Sequence, residues 1–312
     1  MSEHAGLSVF ELESPPIKLS VFGRSHPGQV RRENQDDFLV ADLDAGDSGY
    51  LLRPEGDGSG VTACGELSVG RRGVLLLVAD GMGGGAGAIA SRLATTWIHA
   101  TLKAAWTAER AHTSDRFASL LDFAMKDANT RIHQQATEDP ALRGMGTTAT
   151  AVGLVNRHFC MAHVGDSRAY LVRAGEATQL TRDQSVVQAM IDAGTLTEEE
   201  AEASGQSNLI LQALGTASHV AVELTYLEAR RGDVLLLCSD GLSKLVRRSE
   251  IGAIIASTRD LMDACDRLID QANQRGGPDN VTAVLARFDG EGLEVATATD
   301  TVTRRPLVLP DP

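Results

Sequence analysis

Residues 73–91, GVLLLVADGMGGGAGAIAS, decide how the rest of the chain is read. Val74 to Ala79 form an apolar run too short for a globular helix and too continuous for a half-exposed strand, which predicts a strand covered on both faces. Asp80 stands at the strand's end, and Gly81, Gly83, Gly84 and Gly85 lead through a tight turn into a helix. Without side chains, these glycines let backbone carbonyls and amides approach a ligand closely, as a metal ion or a phosphate requires. A carboxylate at that point suggests a hard cation; an ordinary strand end with an Asp-Gly turn is the alternative.

Two other phosphate-binding readings fail. Gly81-x-Gly83-x-x-Ala86 imitates the dinucleotide fingerprint, but no second strand ending in an acid follows about 20 residues on, and Asp80 would oppose a pyrophosphate. No Lys-Ser or Lys-Thr closes the glycine loop, so the Walker pattern is absent.

The 312 residues, 43% hydrophobic, suffice for one large domain or two modest ones. A formal charge of −13 argues against non-specific binding to nucleic acid or anionic lipid. Cys64, Cys160, Cys238 and Cys265 have no close paired spacing, so neither a zinc knuckle nor a disulfide framework is indicated. The acidic N-terminus does not read as a signal peptide, and no apolar run reaches membrane-spanning length. A cytoplasmic protein is expected.

Residues 1–16 read as a flexible arm before a first strand, Ile17 to Phe22, and Phe38 to Ala41 as a second. Residues 42–73 are a Gly-, Asp- and Ser-rich insertion. If the strands on either side of it are antiparallel neighbours, Asp36 lies beside Asp80 and the insertion hangs from the opposite end of the sheet. Residues 87–108 and 115–137 carry apolar stripes at helical spacing. Two hairpins, around Asn156-Arg157 and Ala174-Gly175, predict a mostly consecutive antiparallel meander. Residues 181–221 break into short helical pieces and form a candidate flap; strands return at Val222 to Leu227 and Val234 to Cys238. Helices over Ile251 to Ala256 and Leu261 to Ala272 precede a final strand, Val281 to Phe288, and residues 289–312 are expected to be an unstructured tail.

The opening pattern recurs. DVLLLCSDGLS, residues 233–243, again ends a buried run with Asp-Gly, at Asp240. Asp166 follows a strand in GDSR, Asp279 precedes one in GGPDN, and Asp36 closes RRENQD. Each alone is most simply a turn former. Five at strand ends would repel one another unless cations bind among them, and oxygen-only ligands favour Mg²⁺ or Mn²⁺ over Zn²⁺.

RRENQD, DGMGG, GMGTTAT, VGDSR, CSDGL and GGPDN occur in that order between Ile17 and Phe288. Together they closely resemble the motifs of the metal-dependent protein phosphatases of type 2C, bacterial serine/threonine branch. The resemblance implies an α+β fold, a four-layer α/β/β/α sandwich with two central, mainly antiparallel sheets flanked by helices, over residues 17–288. It implies that Asp80 bridges two ions, Mn²⁺ or Mg²⁺, with the Gly81 carbonyl as a further ligand and Asp240 and Asp279 completing the pair. It further implies that Asp36 is an outer-shell acid, that Asp166 shares a third metal ion with Asp240, and that Arg31 binds the phosphate. Arg31, Asp36 and Asp80 would then be the catalytic residues. Arg31 is preferred to Arg32 on its spacing to Asp36.

The implied function is a phosphoserine/phosphothreonine protein phosphatase that hydrolyses phosphate monoesters with a metal-bridged water. It would be a monomeric signalling hydrolase acting on phosphorylated proteins and opposing a cognate Ser/Thr kinase. The chemistry fits the residue types, because a phosphate dianion resists attack by an anion unless cations neutralise its oxygens. A catalytically silent, phosphoprotein-binding regulatory module is the alternative; silent relatives typically lose a metal acid, and all five stand here. Some positions depart from the family. Met82 stands where animal members carry a His, Ala88 where a Glu is frequent, and Gln184 and Ser207 where bacterial relatives usually have His and Arg. His163, next to GDSR, reads as either a proton carrier or a structural histidine. No Cys-x5-Arg or strand-terminal Asp-x-Asp supports another phosphatase chemistry.

Overall fold

A computed structural model describes residues 15–46, 49–54, 61–197, 200, 209–297 and 300–307, with only the backbone of 61–65. Fourteen strands and six α-helices occur among them. The strands are β1 Ile17–His26, β2 Asp36–Asp42, β3 Tyr50–Leu52, β4 Val61–Val69, β5 Val74–Met82, β6 Gly146–Thr147 and β7 Ala149–Val155. They continue as β8 His158–Val164, β9 Arg168–Arg173, β10 Glu176–Gln179, β11 Glu223–Glu228, β12 Asp233–Cys238, β13 Val281–Asp289 and β14 Arg305–Pro306. The helices are α1 Gly87–Ala108, α2 Ser114–Glu138, α3 Val186–Asp192, α4 Asp240–Ser243, α5 Arg248–Ser257 and α6 Leu261–Gln274.

One six-stranded sheet runs β10-β9-β12-β13-β1-β4, and an eight-stranded sheet runs β14-β11-β8-β7-β5-β2-β3 with β6 attached to β5. All the strand pairs are antiparallel. The side-chain alternation of β5 shows why its run is continuously apolar. Leu75, Leu77 and Ala79 join a core with Ala90, Ala94 and Ile98 of α1 and Phe117, Leu121 and Ala124 of α2. Val74, Leu76 and Val78 point the other way, into a second core shared with Leu19, Leu235, Leu237 and Phe288 of the six-stranded sheet. A third core sets Val234, Leu236 and Leu285 against Ile251, Ile255, Ala264 and Leu268 of α5 and α6. Three cores between consecutive layers make the α/β/β/α sandwich.

Three expectations need correction. The hairpin turns are as expected, with Asn156, Arg157, Ala174 and Gly175 all at positive φ, but the meander is not continuous. β8 pairs with β7 and β11, whereas β9 pairs with β10 and β12. The chain changes sheets at Gly165, whose φ of 107° and close approach to the Thr148 side chain leave no room for a Cβ.

The 42–73 insertion leaves the sheet at the predicted end, since β2 and β5 pair from Asp36↔Asp80 to Asp42↔Val74. It does not merely hang there. β3 extends the eight-stranded sheet beside β2, and β4 forms the edge of the other sheet, starting with Val61 opposite Arg24 and running back along β1 to Val69 opposite Ile17. Nor are the described residues of the tail structureless: Leu293 buries its apolar side chain in the inter-sheet core, and β14 pairs with the backbone of β11. Residues 1–14 of the expected arm, and much of the acidic stretch in the flap, lie outside the described residues.

Candidate active site

The inter-sheet core ends in acids. Asp80 continues the face of β5 that carries Val74, Leu76 and Val78, and Asp36 continues the face of β2 that carries Phe38 and Val40. Register places the two directly opposite each other. From the facing sheet, the start of α4 brings Asp240 and the loop before β13 brings Asp279; the sheet-changing loop supplies Asp166. All five predicted acids therefore gather at one end of the sandwich, at the mouth between its sheets.

Hydrogen bonds hold the two sheets together there. Ser239 Oγ donates to Asp36 Oδ2 at 2.6 Å and Thr282 Oγ1 donates to the same oxygen at 2.7 Å. Asp36 Oδ1 is buried with no partner. The Asp80 backbone is held on both sides: its N–H donates to Thr148 Oγ1 at 2.9 Å, and its carbonyl accepts from Thr148 N–H and Thr147 Oγ1, each at 2.9 Å. Gly81 is required by space. A Cβ there would meet the carbonyl oxygens of Gly87 at 2.2 Å and Gln35 at 2.6 Å.

Burial and mutual repulsion oppose ionisation of these acids. Burial pushes Asp36 up to about 7 despite the Ser239 and Thr282 hydrogen bonds, with Asp240 and Asp279 adding to the effect. Burial, then Asp240, likewise takes Asp166 to about 7, against the pull of Lys244. Asp80 is raised well above the ordinary range by burial and by the charges of Asp36, Asp240, Asp166 and Asp279. Among the described residues no three His, Cys, Asp or Glu side chains are already drawn together around one point. The carboxylates are instead paired with side-chain cations: Lys244 contacts Asp240 and lies 3.8 Å from Asp166, and Arg31 Nη2 lies 3.0 Å from Asp279 Oδ2.

The donor set still fits hard divalent cations. It contains oxygens only, it concentrates negative charge, and a buried carboxylate oxygen at its centre, Asp36 Oδ1, has no hydrogen-bond partner. Arg31 adds a half-exposed guanidinium on the cleft side. Arg32 instead lines a groove of about 430 Å³ with Pro27, Ile89, Arg92 and Leu93. His163 is fully buried, bonded to Thr150 at 2.9 Å, and lowered by burial to about 4, so it is a structural histidine rather than a proton carrier. Gln184 accepts from Gly165 N–H at 2.9 Å, tying the flap segment to the Asp166 loop; Ser207 lies outside the described residues.

Several residues escaped the sequence reading. Asn280 accepts from Gln35 N–H at 2.9 Å and donates to the carbonyls of Pro27 at 3.0 Å and Glu33 at 2.9 Å, so it clamps the whole Arg31 loop to the start of β13. Ser239 and Thr282 also went unassigned, as did Lys244. Ser239 and Asn280 lie inside recognised motifs, but nothing in a linear pattern shows what an uncharged side chain touches.

A mouth between two sheets, lined by gathered carboxylates and faced by an arginine, defines a centre for divalent cations beside a site for an oxyanion. The comparisons give this class its family. A family-wide sequence pattern described as protein phosphatase 2C matches residues 63–287. Protein phosphatase PhpP of Streptococcus pneumoniae is 39% identical over 221 residues, 70% of this chain and 88% of that protein. Serine/threonine protein phosphatase PstP of Mycobacterium tuberculosis is 41% identical over 218 residues, 68% of this chain and 40% of that longer protein. A solved structure of the catalytic domain of PstP in complex with two manganese ions superposes with a TM-score of 0.67 at 35% identity, covering 88% of this chain and 99% of that one. The chain belongs to the protein phosphatase 2C family.

Proposed function

We propose that this protein is a metal-dependent phosphoserine/phosphothreonine protein phosphatase. The observation that carries the proposal is the convergence of Asp36, Asp80, Asp166, Asp240 and Asp279, from separate strand ends, on one mouth between the sheets. The relatives named as serine/threonine phosphatases and the manganese-bound neighbour support it.

Asp80, Asp240, Asp279 and the Gly81 carbonyl would hold two divalent cations, Mn²⁺ or Mg²⁺. Bound there, the ions supply a water nucleophile at neutral pH and polarise the phosphoryl group. Asp36, fixed by Ser239 and Thr282, keeps one oxygen free to orient that water. Arg31 offers two N–H donors to phosphate oxygens once its ion pair with Asp279 yields. In this reading the phosphatase domain begins at residue 17 and takes in, beyond residue 288, Leu293 and β14, which pack onto it, while Gln184 of the candidate flap is tied to the Asp166 loop. All five acids being present speaks against a silent phosphoprotein-binding module.

The protein would act as a monomer on phosphoproteins modified by a cognate Ser/Thr kinase. A cytoplasmic setting is supported by Cys160, Cys238 and Cys265, which are free and buried, while no described helix is long and apolar enough to cross a membrane. The test is turnover of an aryl phosphate ester with and without Mn²⁺, followed by a phosphothreonine and a phosphotyrosine peptide. Activity only with added metal, and preference for phosphothreonine, is expected; undiminished activity in chelator would sink the reading.

A further inference from the structure

Lys244 sits where the family resemblance implies a metal ion. It follows the one-turn helix α4 with helical backbone angles, φ −75° and ψ −24°, so its side chain lies one turn beyond Asp240 on the same face. Its ammonium contacts Asp240 Oδ2 and stands 3.8 Å from Asp166 Oδ2. Asp166 is 1% exposed, and neither of its carboxylate oxygens accepts a hydrogen bond. The neighbouring guanidinium of Arg168 is not turned towards it, being engaged bidentately with Asp183 at 2.8 and 2.7 Å. Among the described residues, the cationic side chain within ion-pair reach of Asp166 is thus Lys244.

We propose that Lys244 is a built-in cation that occupies the place of a third metal ion between Asp166 and Asp240, so that the protein binds two ions rather than three. The inference rests on the two-ion reading above and concerns the predicted metal position between Asp166 and Asp240, beside which a lysine ammonium stands. Two carboxylates need a positive charge between them, and a lysine ammonium supplies one on a stem long enough to reach both. A dication and an ammonium cannot share that space, since like charges at such range repel strongly. Lys244 keeps partial access to solvent, with its side chain 40% exposed, so it can be replaced without opening a cavity in the core.

The experiment is a count of bound Mn²⁺ per chain at up to millimolar metal, from the electron paramagnetic resonance signal of the free ion. Wild type is expected to saturate at two ions. Lys244→Asn and Lys244→Gln, confirmed as folded by circular dichroism, are expected to take up three, and Lys244→Arg two. Lys244→Asn combined with Asp166→Asn should return to two, which locates the gained ion. Three ions in wild type, or no gain in either neutral variant, would overturn the lysine's role while leaving the two-ion centre standing. Wild type that binds none would overturn that centre, and this inference with it.

Discussion

Asp36 and Asp80 are register partners across the β2–β5 ladder, so two carboxylates stand directly opposite each other on one face of one sheet. Opposed side chains in an antiparallel pair have Cβ atoms roughly 4.5–5.5 Å apart, and like charges in that position destabilise the pair. Strand pairing thus stores a repulsion that a cation relieves.

Replacing Asp80 tests that relationship through stability. Asp80→Asn removes the like charge while preserving shape, so in chelator the variant is expected to melt no lower than wild type. A ligand bound only by the folded state adds RT ln(1 + [L]/Kd), about 2.7 kcal/mol at a hundredfold excess over Kd. Millimolar Mn²⁺ should therefore raise the wild-type melting temperature clearly and that of the variant much less. Equal shifts would show that Asp80 is not the central ligand.

The raised acids also predict a pH dependence. An acid whose folded-state value is about 7, as for Asp36 and Asp166, binds more protons folded than unfolded between about pH 4 and 7. Its contribution to stability is lost as pH rises through that window. Buried His99 and His163, both lowered to about 4, act oppositely, losing stability as pH falls from about 6.5. Comparing Asp36→Asn with wild type in chelator cancels the histidines. The variant's melting temperature relative to wild type should rise between about pH 5 and pH 8; a constant difference would contradict the raised value of Asp36.

Arg31 and Arg32 are adjacent, but among the described residues it is Arg31 that pairs with an acid of the mouth. Arg31→Ala is expected to raise KM for a phosphate ester on the order of tenfold, about 1.4 kcal/mol of lost binding, with a smaller effect on kcat. Arg32→Ala should leave both within twofold, roughly the effect of a surface change. Steady-state kinetics on the two variants decides the matter, and the reverse pattern would exchange their roles.

Asn280 is 5% exposed and makes three hydrogen bonds to the backbone of the Arg31 loop. Removing such a buried group strands its partners at about 1–3 kcal/mol each in the worst case. Asn280→Ala is therefore expected to lower the melting temperature and to raise KM by freeing the loop. Asn280→Asp should do so as well, since it removes both donors to Pro27 and Glu33. A variant with wild-type KM would show that the loop positions Arg31 without this clamp.

Much of this protein is legible in its sequence because the decisive signals are local. The apolar runs of β5 and β12 announce strands covered on both faces, and the Asp-Gly steps after them mark where those strands end. Even the Asp36–Asp80 pairing follows from two neighbouring strands and the two-residue period of a sheet. The five acids are visible as strand-end acids before any coordinates.

What tertiary structure alone decided is which strands share a sheet and which uncharged groups meet. The hairpins around Asn156-Arg157 and Ala174-Gly175 look like one meander, yet they belong to different sheets, because the choice depends on which faces can be buried together. Likewise β4 lacked a strong linear signal and exists through its pairing with β1 at the edge of the sheet. Asp36 meets Ser239 and Thr282 across more than two hundred residues, and Asn280 reaches back to Gln35. Lys244 is only four positions from Asp240, but its approach to Asp166 depends on a loop that crosses between the sheets. Periodicity records how a segment meets solvent and core; it does not record which distant segment fills the other side of the contact.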